Sequence, residues 1–133
     1  MSNMSMILPY RKKGTQIQFL VKSAFIPGWD QHPDLCGIAS NVSNDMFENA
    51  IMETLKQETG VNVEADSLIR LGVCAIKRSS DHICYLYSVD LTKKLDVTQD
   101  LNEAFSWIDD DKMMESIDPQ LLACYAKLKF LVL

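Results

Sequence analysis

The segment Asp45-Met46-Phe47-Glu48-Asn49-Ala50-Ile51-Met52-Glu53-Thr54-Leu55-Lys56-Gln57-Glu58-Thr59-Gly60-Val61 carries a full set of helix signals. Phe47, Ala50, Ile51 and Leu55, extended by Met46, form one apolar stripe at helical spacing, and the other face is polar, the pattern of a helix lying on a core. Asn44 or Asp45 can cap its start, Glu48 stands three residues after Asp45 as in a capping box, and Gly60 closes it.

Strand patterns surround this helix. Residues 4–10 are mostly apolar and end at Pro9, which fits a short strand terminated or edged by proline. After Lys12-Lys13-Gly14, the run Gln16-Ile17-Gln18-Phe19-Leu20-Val21 begins as an alternation and becomes wholly apolar, a strand entering the core. The pair reads as a hairpin with Gly14 in the turn. Residues 26–42, with Pro27-Gly28, Trp29, Pro33 and Gly37, read as a long irregular connection holding one short strand near 35–39. Long connections inside compact domains tend to carry function. Beyond Gly60, residues 68–76 and 82–89 have high strand propensity and flank the turn Lys77-Arg78-Ser79-Ser80-Asp81, and a further strand is expected near 104–108. Asp118-Pro119 supplies a cap and a first-turn proline for a last helix with Leu121, Leu122, Tyr125, Leu128 and Phe130. This order of elements predicts an α+β fold, an α/β/α sandwich with a mixed sheet, in a single domain spanning 1–133.

Composition narrows the function classes. The chain has 133 residues, 47% of them hydrophobic and 23% charged, which suits one ordered core. Its 13 basic and 18 acidic residues give a net charge of -5, which argues against an extended nucleic-acid surface but not against a small nucleotide. The basic run Arg11-Lys12-Lys13 has the character of a solvated turn. The four cysteines, Cys36, Cys74, Cys84 and Cys124, form no C-x-x-C pair, and only two histidines accompany them, so structural zinc is not expected. Cys74, Cys84 and Cys124 lie in apolar runs where a reduced thiol acts as a small hydrophobe, which points to a reducing, cytoplasmic location. Neither a signal peptide nor a bilayer-spanning run is read from the chain.

Ala50 to Val61 resembles the second half of the Nudix box, whose pattern is G-x5-E-x7-R-E-U-x-E-E-x-G-U with U a bulky aliphatic residue. Leu55, Glu58, Gly60 and Val61 match it. Leu8-Pro9-Tyr10-Arg11 resembles a common first strand of the Nudix hydrolase superfamily, Trp29 and Gly37 resemble the approach to the box, and Glu103 four residues before Trp107 is similar to a frequent late element. The resemblance implies a Nudix-like sandwich over nearly the whole chain, and a Mg2+-dependent hydrolase of pyrophosphate bonds.

The box is degenerate in ways that matter for that chemistry. Glu53 stands where the family has arginine, while Thr54 and Gln57 replace two of its glutamates; only Glu58 survives of the acidic trio. Asp45 falls at the upstream acidic position, and Ala39 replaces the leading glycine unless two residues are inserted after Gly37. Magnesium is a hard cation held by anionic oxygens, and neutral Gln57 or Thr54 neither offsets its charge nor acts as a base near neutral pH. Metal affinity is therefore expected to be weak or absent. Glu53, Gln57 and Glu58 remain the candidate metal ligands, Glu58 and Glu103 the candidate catalytic carboxylates, with Glu48 and Asp45 as nearby compensation. Each has an alternative reading: Glu48 serves the helix start, and Glu103 is a solvated loop residue.

Tyr10, Arg11, Trp29 and Gly37 are the candidate nucleotide-binding residues; for Tyr10 and Trp29, stacking on a base competes with ordinary packing. Cys36 lacks an activating base other than His32, which sequence brings near without orienting. Three functions follow: a Nudix-like domain that retains binding of a nucleotide or protein while hydrolysis is impaired or lost; a divergent hydrolase of nucleoside diphosphates linked to another group; and an assembly module. The apolar ending Phe130-Leu131-Val132-Leu133 is where a protein partner or second copy would pack.

Overall fold

Continuous apolar runs imply a sheet covered on both faces, and the central strand satisfies that demand. The computed structural model describes residues 3–25, 28, 34–42, 45–76, 81–94, 101 and 103–133. In strand β1 (Asn3–Lys13) the side chains of Met6, Leu8 and Tyr10 enter one cluster and Ile7 the other. Strand β2 (Gln16–Ala24) divides in the same way, Phe19 and Val21 against Leu20. The alternation of a strand thus feeds two cores at once.

Along one edge β1 pairs antiparallel first with β4 (Ile38–Val42) and then with β2; along the other, residues 4–10 run parallel to β6 (Ile83–Asp90). The strand does not stop at Pro9 but continues to Lys13. Pro9 falls between the register of β4, which ends at Ile7, and that of β2, which starts at Tyr10, so its missing N–H costs no antiparallel bond. Strands β3 (Asp34–Cys36), β5 (Ile69–Ala75) and β7 (Phe105–Ile108) complete the sheet: β3 and β7 pair with β2, β5 with β6. Two strands, not one, therefore occupy the region near 35–39. They part at Gly37, where the chain leaves β2 for β1 and a Cβ would stand 2.7 Å from the Met6 sulfur.

Helix α1 (Phe47–Thr59) covers one face with Ile51 and Leu55, both fully buried. Gly60 ends it in the left-handed conformation, φ 78°, its N–H bonded to the Lys56 carbonyl. The start differs from the sequence expectation. The capping position is Met46, without a side-chain cap, and Glu48 is drawn away to Arg70; Asn44 lies outside the described residues. A short helix α2 (Asp110–Met113), not anticipated, begins at Asp109, whose side chain accepts from the Lys112 N–H. Helix α3 (Pro119–Leu131) covers the second face with Leu121, Cys124 and Leu128, and Asp118 caps it as expected, accepting from the N–H groups of Gln120 and Leu121. Among the described residues no helix is long and apolar enough to cross a membrane.

Candidate functional site around Glu58

Successive helical residues differ by about 100° around the axis, so Gln57 and Glu58 point different ways. Glu58, in the last turn of α1, faces β2, where the Lys22 ammonium donates to its Oε1 at 2.7 Å. The two side chains are 34% and 28% exposed, so this pair sits at a rim rather than in the core. Lys22 lies in the middle of a pairing crossroads, opposite Cys36 on one side and Phe105 on the other, and its ammonium stands 5.9 Å from the centre of the Phe105 ring. Burial, followed by the Asp118 charge, pushes the Cys36 thiol up, while Lys22 opposes them; a neutral thiol here is a poor nucleophile.

Gln57 turns to the exposed side, its amide donating to Glu53 Oε1 at 3.1 Å, an i,i+4 bond along the helix. The candidate metal ligands Glu53 and Gln57 are therefore together but not with Glu58. Glu48 and Arg70 form a two-pronged pair, 2.6 Å from Nε and 2.9 Å from Nη2, and the Arg70 hydrogen bonds hold the Glu48 carboxyl below its ordinary range. This pair borders a cleft of about 420 Å³ that also includes Asp45, Phe47 and Tyr87. Glu103 is exposed just before β7, where the Ser23 N–H to Ala104 carbonyl bond prolongs the β2–β7 pairing.

Among the described residues no group of three or more His, Cys, Asp or Glu side chains is arranged to hold a metal ion. Glu58, which faces the sheet, already has an ammonium at hydrogen-bond distance, and its chain neighbour Gln57 donates its amide to Glu53. This donor set does not fit a divalent cation of the magnesium type.

The other candidate residues are spread over both faces. Tyr10 is 5% exposed in the cluster under α3, where burial and then the Asp90 charge and hydrogen bond push its hydroxyl up. Arg11 points to the opposite face: its Nε donates to Gln18 at 2.8 Å and its guanidinium stands 4.3 Å from the centre of the Trp107 ring. The Trp107 indole N–H is buried without a hydrogen-bond partner. Gly37 donates its N–H to Asp118 Oδ2 at 3.1 Å. Trp29 and His32 lie outside the described residues. Lys22 had no sequence signal, being one cation at the end of an apolar run, and neither did the stacking of Arg11 on Trp107; both depend on strand register.

No protein-family model matches this chain, and no curated protein matches it in sequence. Solved structures do match. The C-terminal domain of mouse MUTYH, solved in complex with human PCNA, has a TM-score of 0.74 at 12% identity, over 97% of this chain and 88% of that one. The NUDIX domain of Shewanella oneidensis NrtR, solved with ADP ribose, has a TM-score of 0.71 at 9% identity, over 96% and 86%. C. elegans Ap4A hydrolase has a TM-score of 0.63 at 14% identity, over 96% of each chain. With α1 and α3 on opposite faces of a mixed sheet, this chain has the Nudix fold.

Proposed function

We propose that this chain is a Nudix-fold domain that works by binding and does not hydrolyse pyrophosphate bonds. The observation that carries the reading is the dispersal of the box: Glu58 faces the sheet, while Gln57 and Glu53 bond to each other on the exposed side of α1. A dication bridging substrate phosphate to protein needs anionic oxygens converging on one point, and these do not converge. Glu103 as a second carboxylate would require it to reach Glu58.

The ligand favoured is a nucleotide. Arg11, stacked on Trp107 beside Gln18, projects from the same sheet face as Lys22 and supplies a guanidinium suited to phosphate. That the NrtR domain was solved with ADP ribose is in keeping with this. A protein partner is the second reading, favoured by the outer side of α3, where Phe130 is 90% and Leu131 67% exposed; the MUTYH domain in its complex with PCNA is an instance of the fold meeting a protein.

The test is one set of tubes: purified protein with Mg2+ or Mn2+ and a panel of nucleoside di- and triphosphates and nucleotide sugars, followed by calorimetry and product assay. The expected result is nucleotide binding without product, weakened when Arg11 is replaced by alanine. Metal-dependent turnover abolished by Glu58→Gln would overturn the reading in favour of a divergent hydrolase. Neither binding nor turnover would move the function to protein partners of α3.

A further inference from the structure

We infer that Lys22 is a built-in counter-cation of the box, and that its ammonium, beyond the missing carboxylates, keeps divalent cations off Glu58. The inference rests on the reading of a domain that works without a metal, and adds the residue responsible. Lys22 Nζ lies 2.7 Å from Glu58 Oε1, direct hydrogen-bond contact with the one box carboxylate that faces the sheet. A dication approaching that oxygen meets a positive charge already in contact with it, and has to displace the ammonium before gaining a ligand.

Three features hold the ammonium there. Lys22 sits at the position of β2 where pairings with β3 and β7 meet, so its backbone is fixed from both sides. Its ammonium lies over the Phe105 ring, 5.9 Å from the centroid. Cys36, directly opposite in register, presents a thiol that burial keeps neutral and that therefore does not compete as an anion. Glu58 in turn is fixed by the last turn of α1 and its Gly60 cap.

The experiment titrates Mn2+ into the full chain and reads free Mn2+ by electron paramagnetic resonance, with no substrate and no turnover involved. Lys22→Met keeps the apolar stem and removes the charge; Lys22→Arg keeps the charge. Thermal melts confirm that each is folded. Lys22→Met is expected to bind Mn2+ up to about fivefold more tightly than the natural chain, the scale set by freeing a part-exposed ion pair. Lys22→Arg should show no gain, and the gain should vanish in the double variant Lys22→Met with Glu58→Gln. If folded Lys22→Met binds no better than the natural chain, the inference is overturned and the reading of a non-hydrolytic domain stands. The reading of a non-hydrolytic domain falls separately, by metal-dependent turnover in the nucleotide assay.

Discussion

The two faces of the sheet are packed alike but differ in where their polar groups stand. Under α3, Leu121, Cys124 and Leu128 are fully buried against Met6, Leu8, Phe19 and Leu86, and Asp118, the buried carboxylate at the helix start, is spent on structure, capping α3 and accepting from Gly37. Under α1, Ile51 and Leu55 are equally buried, but the ends of that face carry Lys22 with Glu58, Arg11 on Trp107, and Arg70 with Glu48. On the first face Asp118 completes the fold; on the second the charged pairs stand at the rim, partly open to solvent.

The largest expected effects test the likeness of the two faces. Leu128→Ala and Leu55→Ala should each cost about 2–5 kcal/mol in urea unfolding, because both leucines are fully buried and leave a cavity. A loss below about 1 kcal/mol for either would break the equivalence. Asp118→Ala should cost about 1–2 kcal/mol, by removing the cap and leaving the Gly37 N–H without its acceptor.

A third test concerns the thiols of the α3 side. Cys84, opposite Cys74 in the sheet, is pushed up to about 12 from an ordinary 9.0 by burial and then by Cys74. The unfolded chain releases this proton first, so stability is full below about pH 9 and falls as pH rises towards 12. At pH 10 the loss from this group should be about 1–2 kcal/mol, and chemical unfolding of Cys84→Ala should show a correspondingly flatter alkaline limb. The smallest effect is expected on the other face. Glu58→Gln should change stability by no more than about 1 kcal/mol, since both partners of the pair are about one third exposed. A loss as large as that of a core leucine would make Glu58 a structural residue and blur the contrast between the faces.

The elements that bury an apolar stripe were legible in the sequence. Ile51 and Leu55 with Gly60, the hairpin around Gly14, and Asp118-Pro119 all combine a periodic pattern with a local stop or start signal, and all were found. The start of α1 was not, because Glu48 had two uses and the distant Arg70 outbid the local cap. Neither was the length of β1, because Pro9 reads as a stop unless one knows that β4 and β2 divide that edge. Helix α1, which carries the candidate residues, was legible in the sequence, but the direction of its side chains was not. Glu58 and Gln57 are neighbours in the chain, yet their partners lie 36 residues back and 4 residues back, and only the first is a matter of tertiary register.

The parallel pairing of β1 with β6 also bears on how the chain reaches its fold. Met4 lies beside Cys84 and Tyr10 beside Asp90, so every rung of that ladder closes a separation of 80 residues. The hairpin with β2 can form early and locally, but the other edge of the central strand waits until residues 83–90 have been synthesised. Non-local parallel pairing of this kind is slow, and an apolar strand with an unpaired edge is prone to wrong partners in the interval. During synthesis the interval between the emergence of β1 and that of β6 is thus one in which an apolar strand edge lacks its native partner.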